Sequence, residues 1–436
     1  MVVGRGSSDE QWRVTMSSEP KTDAVGYRWV IIFLIWLANT CGALTQLSGG
    51  PVQLSVAKEF GLNAAQLATW INLPLLAIGL FSIPAGILVD RFGARAGVAF
   101  ALLLMSVFAL GRGLAPSFAW LCFATFAFGI GYAFLLSGMP KAVSEWFPPH
   151  ELGRAVGFYT SGASVGVLTV FWFAIPVFGE KWRDLFLAAG FMMTVAFLAW
   201  LVLGKRSSRA ASGHGDPGGH GAPGGVADML RSFRTVASQR DVRLLVGLCA
   251  MTQIGVFGWL AFGFPYLVIA KGAPEETAGQ VVAFTMVGFL FGALSVSGLS
   301  DRLGKRRPFL IGPALVTCLL FFGLIVVPLG WLFWAMVLLI GFCLAAIQVL
   351  LFALPLELPG VSKDQVGACE GLIISIGYFF GIAASPVLGS LLGSYDTTTP
   401  QQFFVVVGCM GAALGVGTVL SFLMSETGPA GRKASA

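Results

Sequence analysis

Two short runs carry the most regular charges in the chain. GILVDRFGAR (86–95) sets Asp90, Arg91 and Arg95 directly against an apolar stretch, and DRLGKR repeats the pattern with Asp301, Arg302, Lys305 and Arg306. Gly93 and Gly304 inside these runs permit a tight turn, because glycine tolerates backbone angles that other residues avoid. A second set of groups is neutral and lies within apolar runs. IWLANTCGALTQLSGGP (35–51) offers Asn39, Thr40, Thr45 and Gln46, and MTQIGVFGWLAFGFP (251–265) offers Thr252, Gln253 and Trp259. Asn72, Tyr132, Tyr159, Gln348 and Tyr378 are placed likewise. Amides, hydroxyls and an indole can hydrogen-bond a polar solute. They form no nucleophile–base pair, metal cluster or phosphate loop, so neither an enzyme nor a cofactor is expected.

The composition says what must hold these groups. Of 436 residues, 56% are hydrophobic and 11% are charged, against about a quarter charged in soluble domains. Twelve apolar stretches are long enough to cross a bilayer as helices: 28–50, 66–88, 97–115, 119–143, 154–178, 184–204, 243–268, 277–299, 309–328, 331–356, 366–392 and 401–424. The expected fold is all-α and membrane-embedded, with the lipid bilayer as its main partner. Basic residues set the orientation. Only Lys58, Arg112, Lys181, Arg183 and Lys271 of the 27 Lys and Arg fall on the outer side if the N-terminus is cytoplasmic. Both termini are therefore expected inside, and the net charge of +6 needs no nucleic-acid partner. The seven cysteines all fall within spans and read as small packing residues.

GKRSSRAASGHGDPGGHGAPGG (204–225) is a flexible linker that contains His214 and His220. It divides a cytoplasmic tail (1–27) and a first six-span bundle (28–204) from a second bundle (243–424) and tail (425–436). The linker region (205–242) ends in a short amphipathic surface helix with Met229, Leu230, Phe233 and Val236 on one face. The bundles read as copies. Pro51 matches Pro265 at an offset of 214, and the same offset maps Asn39 onto Gln253 and Gly157 onto Gly371. Gly162, Gly166, Gly377 and Gly381 recur in spans 5 and 11, where small residues allow close helix approach. They are expected at a sliding interface between the bundles. Pro51, Pro74, Pro140, Pro265 and Pro355 are expected to bend helices.

DRFGAR after span 2, repeated as DRLGKR after span 8, resembles the loop signature of the major facilitator superfamily, and the resemblance covers nearly the whole chain. It implies two six-helix bundles that bind a solute between them and rock around it. It also implies that Asp90 and Asp301 latch the cytoplasmic gate, with Arg91, Arg95, Arg302, Lys305, Arg306, Arg154 and Glu370 as charge partners. Spans 1 and 7 line the cavity in this family. The resemblance therefore makes Asn39, Gln46, Gln253 and Trp259 the leading substrate-binding residues, joined by Asn72, Tyr132, Gln348 and Tyr378. WFPPHELGRA (146–155), with His150, resembles the inner loop of small-anion carriers of the nitrate/nitrite, cyanate and oxalate/formate types. The basic residues those carriers hold in spans 2, 8 or 11 are absent here, so an anion would bind through amides and hydroxyls. A neutral, zwitterionic or quaternary-ammonium solute is the alternative, with Trp36, Trp70 and Trp259 as a cage. A non-transporting receptor is a third. No titratable group lies at mid-span, Glu370 being the nearest, which favours uniport or exchange. A monomer in the inner membrane of a bacterium is expected.

Overall fold

The computed structural model describes residues 22–147, 151–205, 234–303, 305–356, 358, 366–393 and 397–426. His150, His214, His220, Met229, Leu230, Phe233, Gly304 and Glu357 lie outside the described residues, as do the side chains of Asp90, Asp301 and Arg302.

The first span is built from α1 (Thr22–Leu47) and α2 (Gly49–Phe60). Behind it come α3 (Ala64–Phe92), α4 (Ala94–Gly113), α5 (Phe118–Trp146), α6 (Leu152–Phe178) and α7 (Trp182–Leu203). After the linker come α8 (Arg240–Pro265), α9 (Glu275–Leu303), α10 (Arg307–Val326), α11 (Trp331–Ala353), α12 (Val366–Ser390) and α13 (Pro400–Leu423). Among the described residues, 12 helical stretches are long and apolar enough to cross a membrane. Two boundaries differ from expectation. The first span does not end near residue 50 but runs on to Phe60. Pro51 sits in the first turn of α2, where its missing N–H is one of the groups left free anyway. The seventh span leaves the α-helix at Pro265 and makes one π-helical turn, Tyr266–Ala270.

Local sequence sets the other ends. Asn63 and Gln66 form a reciprocal capping box at the start of α3, with N–O distances of 2.8 and 3.0 Å, which satisfies two donors that a helix start leaves orphaned. Gly93 adopts φ 87°, so α3 and α4 are joined by a single glycine. This is the tight turn expected of DRFG.

The two halves repeat one contact scheme. In the first half α3 packs on α5, α4 on α5 and α7, and α1 on α6 and α7. In the second half α9 packs on α11, α10 on α11 and α13, and α8 on α12 and α13. The seam between halves is α3 against α12 and, symmetrically, α9 against α6, with α8 also touching α2 and α3. The glycine stripes of spans 5 and 11 do not lie in this seam. A Cβ on Gly162 or Gly166 would strike the Trp36 and Thr40 carbonyls of α1, and one on Gly377 or Gly381 would strike Cys249 and Gln253 of α8. They fasten helices within each half. The seam has its own small residues: a Cβ on Gly279 would stand 2.6 Å from Phe171 O, and one on Gly389 2.6 Å from Ala65 Cα.

The core shows how the halves meet. One cluster draws on both halves at the end remote from the linker, joining Val52, Val56, Trp70, Phe171 and Phe186 to Phe262, Phe264, Val281, Leu388 and Phe403. At the linker end the clusters of described residues are separate. Ile31, Val89, Val98, Val143 and Trp200 belong to the first half, and Val242, Leu245, Leu310, Leu351 and Cys369 to the second. Across the joined end, Ala64 N donates to Gly393 O at 2.9 Å. Among the described residues, the apolar core joins the halves at one end and is split at the other.

Candidate functional site

Asn39 and Gln253 occupy equivalent places in the two halves, and their surroundings differ. Asn39 Nδ2 donates to Tyr159 O at 2.9 Å, and the Tyr132 hydroxyl donates to Asn39 Oδ1 at 3.2 Å. Both ends of that amide are engaged inside the first half. In the second half, the close approach of α12 at Gly377 and Gly381 brings Tyr378 up to α8. Gln253 and Gln348 both lie within side-chain hydrogen-bonding range of the Tyr378 hydroxyl, and Phe257 meets the Tyr378 ring edge-on at 5.3 Å. Gln253 is 2% exposed and its Oε1 has no partner. Three residues expected at the site, Gln253, Gln348 and Tyr378, thus stand together, while Asn39 and Tyr132 form a closed lock.

Two more buried amides have free atoms. Asn72 Nδ2 donates to Ala68 O at 2.9 Å, but its Oδ1 is unpartnered. Asn72 shares a helical stripe with Ala65, Leu76 and Gly79, which meet α12 across the seam. Gln53, which the sequence reading passed over, is fully buried on α2, and neither Oε1 nor Nε2 has a partner. Its helix touches α6 of its own half and α8 of the other. A signal for it did exist. Asn39, Gln46 and Gln53 recur every seven residues, which keeps them near one face of a helix. The matching positions of the second half, Leu260 and Leu267, are apolar. Gln46 is half-buried one step below the kink.

The tryptophans make no shared cage. The indole N–H of Trp70 donates to Thr125 and that of Trp259 to Thr285, each at 3.0 Å, and that of Trp36 to Ser161 at 3.2 Å. Their rings meet different partners: Trp70 and Trp259 lie edge-on to Phe186 and Phe321, and Trp36 stacks on Phe33. Trp259 is therefore a bonded core residue between α8 and α9.

Arg112 lies in the last turn of α4, where the sequence places it. Counted from the sequence as a residue at the outer end of span 3, it is 1% exposed. Its Nη1 donates to Thr45 O at 2.7 Å, and its guanidinium lies 4.3 Å from the Phe186 ring centroid. Neither of the ion pairs Arg28–Glu151 (2.8 Å) and Arg183–Glu59 (2.6 Å) includes it. Thr45 of α1, Phe128 of α5 and Phe186 of α7 enclose it.

At the linker end, Arg91, Arg95 and Arg154 are exposed and Glu370 is half-buried. Lys141 Nζ donates to Val89 O at 3.1 Å, one residue before Asp90. The backbone N–H groups of Arg306 and Arg307 donate to Glu426, at 2.7 and 3.2 Å. The carboxylate thereby caps the start of α10, the positive end of the helix dipole, and ties the second charged loop to the last described turn of the chain.

Two pseudo-symmetric six-span halves, joined through a shared apolar core and holding buried amide atoms without partners, define a polytopic membrane protein of two helix bundles. The chain belongs to the Major Facilitator Superfamily, whose family model matches residues 25–369. It is similar to the hexuronate transporter of Escherichia coli (strain K12), 29% identical over 184 residues, which are 41% of this chain and 42% of that protein. The chain thus spans less than half the length of that relative. It is 26% identical to the niacin transporter of Acinetobacter baylyi, covering 90% of this chain and 94% of the other. A probable nitrate/nitrite antiporter of Thermus thermophilus is 27% identical, with coverage of 91% and 93%. Among solved structures, a bacterial homolog of the human lysosomal transporter Spinster superposes with a TM-score of 0.74 at 16% identity, over 91% of this chain and 96% of the other.

Proposed function

We propose that the chain is a secondary carrier, not an enzyme, that moves a small organic anion across a bacterial inner membrane by alternating access. The observation that carries this reading is the set of buried amide atoms without partners: Gln53 on α2, Asn72 on α3 and Gln253 on α8. An unsatisfied buried polar group costs about 1–3 kcal/mol, and a solute that hydrogen-bonds such groups repays that cost on binding. Three of these four atoms are carbonyl oxygens, which accept, and one is the Gln53 Nε2 donor, so a hydroxylated carboxylate, with hydroxyls to donate and oxygens to accept, suits the set. The buried positive charge of Arg112, beside the first span, favours an anion over a cation by Coulomb attraction that water screens poorly at this depth. Relatives named for hexuronate, niacin and nitrate/nitrite support the same class. In this reading both termini face the cytoplasm, the joined end is sealed and is the outer one, and the carrier works as a monomer. Asp90 and Asp301 latch the inner loops in the alternate state.

Uptake into proteoliposomes tests the proposal with galacturonate, nicotinate, nitrate, choline and a neutral sugar, each with and without a pH gradient. Saturable movement of a carboxylate is expected, and Gln253→Ala should raise its KM about tenfold, the loss of one or two hydrogen bonds. Movement of choline or the neutral sugar alone would reject the anion reading. Equal uptake by wild-type and Gln253→Ala protein would reject the site.

A further inference from the structure

Pro51 has no N–H for the Leu47 carbonyl, so the first span opens its backbone ladder where α1 gives way to α2. Arg112 reaches into that opening from α4. Its Nη1 donates to Thr45 O at 2.7 Å and its Nη2 to Ser48 Oγ at 3.3 Å, while Ser48 Oγ donates to the same Thr45 carbonyl at 2.7 Å. Phe186 and Phe128 cover the guanidinium, at 4.3 and 5.7 Å from its carbon to their centroids. Burying a charge costs several kcal/mol unless its surroundings compensate. Here the compensation is the carbonyl end of α1, the negative end of that helix's dipole.

The second half ties the equivalent helices with a cation too, in the opposite sense. Lys271, just after the span 7 helix, donates to Ile325 O at 3.0 Å and Val327 O at 2.9 Å, at the end of α10. In the first half the cation sits at the break between α1 and α2, which lies between Gln46 and Gln53.

We propose that Arg112 is a positioning residue that fixes the kink of the first span and so sets where Gln46 and Gln53 stand relative to the second half. Its bearing on transport rests on the carrier reading above; its bearing on the shape of the span does not. With a shorter neutral side chain at 112, only Ser48 remains to hold Thr45 O, and the angle between α1 and α2 loosens.

The test uses full-length protein in nanodiscs, freed of its native cysteines, with spin labels at Trp29 and Lys58, exposed positions on α1 and α2. Pulsed electron resonance reads the distance between them. Arg112→Gln should shift and broaden the distribution. Adding Pro51→Ala, which restores the missing backbone donor, should narrow it again. Arg112→Lys, which keeps the charge and loses the fork, should fall between. In uptake assays Arg112→Gln should lower kcat about tenfold with KM within about twofold, and Pro51→Ala should recover most of that loss, the non-additivity expected of coupled positions. Distributions unchanged in both Arg112 variants would overturn the proposal. So would a raised KM at constant kcat, which would make Arg112 a substrate ligand. Silent wild-type liposomes would reject the carrier reading instead, and the distance measurement would still decide the role of Arg112.

Discussion

At the scale of single residues, the two halves spend one amide position differently. Asn39 is held by Tyr132 and by the Tyr159 carbonyl, whereas Gln253 keeps a free Oε1 although it is just as buried. Unequal consequences follow for an apolar replacement. Asn39→Leu strands a buried hydroxyl and a buried carbonyl, so it should destabilise the protein by about 1–3 kcal/mol. Gln253→Leu removes the unpaired Oε1 and one of two amides beside the Tyr378 hydroxyl, with Gln348 left in place, so it should cost less thermal stability than Asn39→Leu while abolishing saturable binding. Thermal unfolding of the purified variants, set beside substrate binding, measures both. A Gln253→Leu protein that unfolds well below wild type and binds normally would show that Gln253 is a structural lock like Asn39. The identity of these residues was legible in the sequence through the repeat offset. Their bonding state was not, because it depends on whether the neighbouring helix presents a carbonyl or a hydroxyl at that depth.

At the scale of elements, the spans were legible because hydrocarbon demands long apolar helices, and Gly93 because a one-residue turn demands positive φ. The roles of the other glycines were not, since spacing shows a smooth face but not which helix presses on it. That distinction is testable. Gly166 touches the α1 backbone inside the first half, and Gly389 touches Ala65 across the seam at the sealed end. Gly166→Val should therefore impair folding, lowering the unfolding temperature and the yield. Gly389→Val should instead disfavour the sealed arrangement. In that variant a cysteine replacing Gln53, buried in the wild-type fold, should become reactive toward a membrane-impermeant maleimide applied from the sealed side. Labelling no faster than in the Gly389 parent would reject the seam role. The continuation of the first span to Phe60 was missed for a related reason. Pro51 reads as a bend just past the expected end of the span, yet in the first turn of α2 it lets the helix run on, and Arg112 lies too far along the chain for local pattern to link it to this place.

At the scale of the whole molecule, the asymmetry of the core bears on the proposed carrier mechanism. Apolar packing that spans both halves at one end and is split at the other cannot change sides without breaking the joined cluster. In a carrier that alternates, the sealed end must come apart once per cycle, and its weak points are the small-residue contacts of α3 with α12 and α9 with α6. A tether across that end should stop turnover without removing the site. In a cysteine-free background, Ala65→Cys and Ser390→Cys flank the Ala65–Gly389 contact and can be joined by a short, reducible thiol cross-linker. The expected result is uptake at background level after cross-linking and recovery on reduction. Substrate binding to the cross-linked protein in detergent should persist, since the tether lies at the joined end and leaves the linker end free to open. Each single-cysteine protein treated in the same way should transport normally. Normal transport by the tethered protein would mean that solute crosses without separation of the halves at that end, and would remove the rocking mechanism along with the role assigned to the divided core.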